Sequence, residues 1–155
     1  MRPSEVRQRI LEEHERLRDS IHIVRNLARE AAQGDRSRVP ILRRRVVGLD
    51  TELRTHLDLE DRHLVPVVLE CLGEEAAAVL SREHAEQRAL LECVLRRLRD
   101  ERRDPLPLAR ELQAFSELLL EDMTREEDEL IANTDLWDGL SDDAASVSRL
   151  LLDQP

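Results

Sequence analysis

Along most of the chain, apolar residues return every three or four positions, the period of a helix with one face buried. The first run is Val6, Ile10, Leu17, Ile21, Val24, Leu27 and Ala31, with Ser4 placed to cap it and Gly34 placed to end it. Ser37 is a second capping residue, and Pro40 is tolerated in the first turn that follows. The second run, Ile41, Val46, Leu49, Leu53, Leu57, Leu64 and Val67, extends to about Cys71 and stops at Gly73. Pro66 lies within it and should bend it, because proline removes a backbone hydrogen bond. A third helix is predicted from near Glu74 to about Arg102, with Leu80, Leu91, Val94, Leu95 and Leu98 inward and Ser81 as a point where it could break. Pro105 and Pro107 make the next link. The fourth helix is predicted over Leu108 to Ala132, with Leu112, Phe115, Leu119, Met123 and Leu130 in phase. Asn133 to Gly139 has the character of a loop, and Ser141-Asp142-Asp143 opens a short helix ending near Asp153. Short links between four long helices predict an all-α, up-down-up-down four-helix bundle over residues 1–133. Residues 134–155 are expected to form a C-terminal loop and short helix, packed on the bundle or extending from it.

The apolar stripes are interrupted by residues that should not be there. His56 and Glu60 lie one turn apart on the second stripe, offset by about 40°. His14 sits among Ile10, Leu17 and Ile21; His84 and Glu126 lie on the third and fourth stripes. Burying such groups is costly unless something pairs with them. A metal ion is one partner; a hydrogen-bonded pair of histidine and carboxylate is another.

The interruptions repeat. Helix two aligns on helix four without a gap, placing His56 over Asp122, Glu60 over Glu126, Asp61 over Glu127 and Leu64 over Leu130. Helix one aligns on helix three, placing His14 over His84 and Arg18 over Arg88. The chain is thus two copies of a helix pair, each with a histidine on its first helix and a (His or Asp)-x-x-x-Glu on its second. In the predicted bundle, His14, His56, Glu60, His84, Asp122 and Glu126 can meet at one level. Imidazole and carboxylate together suit iron, manganese or zinc, and carboxylates from facing helices can bridge two ions.

Composition narrows the picture. At 155 residues, 41% apolar and 37% charged, the chain is long enough for one core. It has four glycines, one Phe, one Trp and no Tyr, which favours helices over strands. The net charge of −10 argues against nucleic acid, and all 24 basic residues are arginine. No stretch is apolar enough to span a membrane. Met1-Arg2-Pro3-Ser4-Glu5 leads into a charged amphipathic helix, not a secretory signal, so a cytoplasmic location is expected. Cys71 and Cys93 lack CxxC spacing and are expected to be reduced thiols of the core.

These stretches together resemble the hemerythrin-like (HHE cation-binding) family. The match runs through Glu13-His14-Glu15-Arg16-Leu17-Arg18 and His56-x-x-x-Glu60-Asp61-x-x-Leu64-Val65-Pro66. It continues through Glu83-His84-Ala85-Glu86-Gln87-Arg88 and Glu126-Glu127-x-x-Leu130-Ile131, and covers roughly residues 5–132. The resemblance implies a bundle around a non-haem di-iron centre that binds or senses oxygen, nitric oxide or peroxide. It makes His14, His56 and His84 terminal ligands, and Glu60 and Glu126 bridging carboxylates. The family usually has a histidine where this chain has Asp122. Its oxygen carriers have a second histidine where this chain has Arg88. A full oxygen-carrier set is therefore absent, and sensing, scavenging or peroxide chemistry is favoured over oxygen transport. Asp122 retains a ligand's chemistry; Arg88 does not, and must face solvent or pair with a carboxylate. Two other readings stay open: a metal-free bundle that binds a partner, and a centre for a single ion. His63, two turns from His56, is expected to be partly buried and outside the centre.

Overall fold

The computed structural model describes residues 2–133 together with Leu136 and Trp137. Four long helices account for nearly all of these: α1 (Pro3–Ala32), α2 (Val39–Leu72), α3 (Glu74–Arg99) and α4 (Pro105–Glu126). α4 runs directly into a wider π-type turn over Glu127–Ile131. No strand occurs among the described residues, and none of their helices is long and apolar enough to cross a membrane. The expected C-terminal helix near Ser141 to Asp153 lies outside the described residues.

Local chemistry sets the helix ends slightly differently from expectation. α1 begins one residue before Ser4, with Pro3 in its first turn, and Arg2 rather than Ser4 stands at the cap. The Arg2 backbone N–H donates to Glu5 Oε2 at 2.9 Å, closing that end. Asp35, not Ser37, caps the short 3₁₀ turn before α2; its carboxylate accepts from the Ser37 N–H at 3.1 Å. Gly73 ends α2 at φ +91°, a left-handed value that favours glycine. α3 passes Ser81 unbroken. α4 starts at Pro105 rather than Leu108, because the Asp104 carboxylate caps it and proline suits the first turn.

α1 packs on α2 and α4, and α2 packs on α3, with the α3–α4 contact the slightest. His14 and His84 lie in the first halves of α1 and α3, while Glu60 and Glu126 lie in the second halves of α2 and α4. These residues share one level, so successive helices run in opposite directions. The core is split at that level. One apolar cluster includes Leu17, Ile21, Leu57, Leu91, Leu119 and Met123. The other includes Val6, Ile10, Leu64, Leu80, Ile131 and Trp137. Buried polar residues His14, His56, Glu60, His84 and Glu126 form the layer between them.

The π-type turn changes which residue of α4 faces inward. Regular helical phase carries the stripe from Met123 and Glu126 to Leu130. A π turn holds one more residue, and Ile131 is the buried one while Leu130 is half-buried. Its freed carbonyls find partners: Arg7 Nε donates to Ile131 O at 2.7 Å, and Trp137 Nε1 donates to Leu130 O at 3.0 Å. Neither cysteine is bonded to the other; Cys71 is exposed and Cys93 half-buried, so Cys71 is not a core thiol.

Candidate metal centre

The polar layer is built from five side chains on four helices. His14 Nε2 lies 3.1 Å from His56 Nε2 and 3.4 Å from Glu60 Oε1. His56 Nε2 is 3.1 Å from that same oxygen. Glu126 Oε2 lies 3.6 Å from His14 Nε2. These four residues each offer a ligand atom, and the four atoms lie within 4.8 Å of one another. The other oxygens turn elsewhere. Glu60 Oε2 is 3.2 Å from His84 Nε2, and Glu126 Oε1 is 3.7 Å from it. Each carboxylate therefore straddles two groups of imidazoles: His14 with His56 on one side, His84 alone on the other.

Each α1/α3 histidine is oriented from behind. His14 Nδ1 lies 2.8 Å from Glu127 Oε1, and Arg18 grips both oxygens of Glu127 at 2.8 Å. His84 Nδ1 lies 2.6 Å from Asp61 Oδ1, and Arg88 donates to Asp61 Oδ2 at 2.7 Å. With Nδ1 donating to a carboxylate, Nε2 is the nitrogen turned to the centre, and loss of its proton would present a lone pair there to a metal. The internal repeat thus extends beyond the central residues to a chain of arginine, carboxylate and histidine. Arg88 does pair with carboxylates, Asp61 and also Asp58. Glu127, Asp61 and Arg18 were not among the expected site residues. The signal for them is in the alignment, which already matched Asp61 to Glu127 and Arg18 to Arg88.

The fourth corner breaks the repeat. His56 Nδ1 faces Glu13 Oε2 at 3.4 Å. At the corresponding place on α4, Asp122 does not join the cluster. Its oxygens accept from Gln87 Nε2 at 3.3 Å and Arg125 at 3.1 Å, and Arg125 also holds Glu83. Asp122 lines a cavity of about 10 Å³ beside the centre, with His56, Gln87, Glu60, Glu126 and apolar Ile21, Leu53, Leu57, Leu119 and Met123. That is near the least space that holds one water molecule. Met123 is buried, as its alignment with Leu57 required. His63 is half-buried and His22 exposed, both outside the cluster.

The electrostatics of the layer favour cations. Burial opposes charge on His56, yet Glu60, Glu13 and Glu126 outweigh it and raise its pKa to about 9. Burial likewise opposes charge on His84, and Glu126, Glu60 and Asp61 raise it to about 10. Burial alone would push the Glu60 carboxyl up, but the charge of His56 and the contacts with all three imidazoles hold it well below the usual range. Glu126 moves the other way, raised by burial and by the Glu60 charge.

The donor set fits a metal. Both Glu60 oxygens and His84 Nε2 are buried without a well-directed hydrogen bond. Such atoms are normally satisfied, and leaving them unpaired costs about 1–3 kcal/mol each. Carboxylate oxygens and imidazole nitrogens that converge on common points are what a bound cation would satisfy in place of the imidazole protons. Three imidazoles and two carboxylates, with no thiolate, suit iron, manganese or zinc.

The family model of the hemerythrin HHE cation binding domain matches residues 6–133. No curated protein matches the chain, and no solved structure matches it.

Proposed function

The chain belongs to the hemerythrin HHE cation binding domain family, and from that premise we propose a two-metal, non-haem iron protein that binds or senses oxygen, nitric oxide or peroxide. One observation carries the reading: Glu60 and Glu126 each turn one oxygen to His14 and the other to His84. Carboxylates placed this way can each serve two ions, and bridging across facing helices is how bundles hold a metal pair. His14, His56, Glu60 and Glu126 would hold one ion, and His84 with the far oxygens of Glu60 and Glu126 the other. Iron there would supply open coordination positions and a reversible change of oxidation state.

The residues around the centre have distinct tasks. Glu127 and Asp61 fix the tautomer of His14 and His84. Leu53, Leu57, Leu119 and Met123 keep bulk water out. The cavity that borders the carboxylates is walled by His56, Asp122 and Gln87. We place a small ligand there, with Asp122 at the edge of its pocket and able to ligate or to hydrogen-bond it. This suits binding, sensing or peroxide consumption within a cytoplasmic protein better than oxygen carriage.

A single-ion centre is the second reading. It is favoured by the tight convergence of His14, His56, Glu60 and Glu126 on one point. Metal counting separates the two. Protein prepared anaerobically with Fe(II) should hold close to two irons per chain, and a His56→Ala variant fewer. One iron per chain would establish the single-ion reading. Less than about one, unchanged in His56→Ala, would refute both and leave the partner-binding bundle.

A further inference from the structure

A second opening reaches the centre from another direction. Between α1 and α2 lies a cleft of about 430 Å³, walled by Asp19, Ser20, Glu52, Thr51 and Thr55, with Glu13 and His56 at its inner end. Glu13 is 8% exposed, and its Oε2 is buried without a hydrogen bond. That oxygen faces His56 Nδ1, whose ring carries Nε2 on to the central cluster. At the mouth, Asp19 and Glu52 are exposed. Ser20 on α1 donates to Glu52 on α2 at 2.6 Å, which turns the Glu52 carboxylate across the opening. Thr51 and Thr55 donate their hydroxyl protons to Val47 O and Thr51 O, so their oxygen lone pairs remain free.

We propose that this cleft is the loading route of the centre, a transient site for a hydrated divalent cation; the inference rests on the metal-centre reading above. The wall presents carboxylate and hydroxyl oxygens from Glu13, Asp19, Ser20, Thr51, Glu52 and Thr55, the ligands a hard, hydrated cation accepts as it sheds water. Three carboxylates, Glu13, Asp19 and Glu52, outnumber Arg16 and the charged His56 among the residues of the cleft. A cleft of net negative charge concentrates the opposite ion. No Phe, Tyr or Trp lines it to receive an organic cation. The cavity beside Asp122 is far smaller, about 10 Å³. It suits a small neutral molecule and obstructs a hydrated ion. Metal and exogenous ligand thus reach the centre by separate sides of α2.

The test uses the full-length metal-free protein, mixed anaerobically with Co(II) in a stopped-flow instrument, with cobalt absorbance as the readout. Asp19→Asn/Glu52→Gln alters neither a candidate ligand nor a buried residue and keeps a hydrogen-bonding partner for Ser20. At low salt it should load about tenfold more slowly than the wild type, reach the same cobalt content, and lose most of that difference at high salt. Thr55→Arg, which sets a positive charge at the mouth, should slow loading in the same way. Glu75→Gln, at the start of α3, should load at the wild-type rate. A wild-type rate in both cleft variants, with full loading, overturns the route and leaves the centre intact. A lowered cobalt content makes the acids part of the centre and overturns the route as well. No cobalt taken up by the wild type overturns the centre itself.

Discussion

Glu127 is the most informative residue to change, because it touches the proposed centre only through another side chain. Its Oε1 accepts from His14 Nδ1 at 2.8 Å, and its two oxygens are held by Arg18, both at 2.8 Å. Glu127→Gln keeps the size and removes the charge. The amide can still accept from His14 or from Arg18, but it cannot serve both as a carboxylate does, and its nitrogen turned toward either would oppose a donor. His14 then loses the partner that fixes its tautomer. Loss of such an outer partner typically weakens metal binding 10–100-fold, or about 1.4–2.8 kcal/mol. Arg18→Met leaves the carboxylate on His14 and removes only its anchor, so a few-fold loss is expected. The three groups act in series. The Arg18→Met/Glu127→Gln double variant should therefore bind no more weakly than Glu127→Gln alone. The assay is a competition titration with a chromophoric chelator, using Zn(II) or Co(II), with far-ultraviolet circular dichroism to confirm the fold. Wild-type affinity in Glu127→Gln would refute the reasoning. So would additive losses in the double variant, which would mean that Arg18 acts on the centre by another path.

The metal-free protein should bind protons where it would bind metal. His56 and His84, raised to about 9 and about 10, are both charged at pH 7, so filling the centre should release about two protons per chain, measurable in a pH-stat; release of fewer than one would contradict it. The same raised values stabilise the metal-free fold fully below the unfolded value near 6.5, and this is lost as pH rises through 9 to 10. The metal-free protein should accordingly melt at a lower temperature at pH 10 than at pH 7, by calorimetry, while metal affinity climbs over that interval. Metal at about a thousand times its dissociation constant should stabilise the wild type by about 4 kcal/mol, a melting shift of several degrees; no shift would favour the metal-free reading. Leu64→Ala, at a site 1% exposed, should cost about 2–5 kcal/mol in urea denaturation of the metal-free protein. Asp122→Asn should retain the wild-type iron count and change the rate at which nitric oxide or peroxide reacts, followed by absorbance; loss of iron instead would make Asp122 a ligand.

The helical period made the bundle legible, because an apolar stripe on a long helix has few alternatives to burial against its neighbours. Polar residues on that stripe pointed to the layer, and repetition made them a set. What escaped the reading was local geometry. The π-type turn after Glu126 has no strong sequence signal, and the regular period placed Leu130 inward where Ile131 is buried. In α2, the matching Leu64 is buried in regular phase. The gapless alignment of the two helices is therefore sound up to Glu126 and Glu127 and slips by one beyond them. Glu127, Asp61 and Arg18 were hidden for a different reason. Charged residues beside a core stripe have the pattern of a solvated face. Only the juxtaposition of α1 with α4, and of α2 with α3, turns them toward a histidine.

The broken corner of the repeat is internally consistent. Where α2 has buried Leu59, the alignment gives α4 Arg125, and where α2 has His56, α4 has Asp122. The two exchanges belong together. On the His56 side, Glu13 backs an imidazole. On the Asp122 side, Glu83 corresponds to Glu13, but Arg125 stands between the two acids, donating to both. A carboxylate alone in that position would add charge to a layer in which burial and Glu60 already raise Glu126. Arg125 neutralises it, and Gln87 takes its other oxygen. The result is a centre with two imidazoles on one side and one on the other. The proposed small-molecule pocket then follows from the broken corner. It lies between His56 and Asp122, because Asp122 is held by Gln87 and Arg125 and leaves a cavity between itself and the centre.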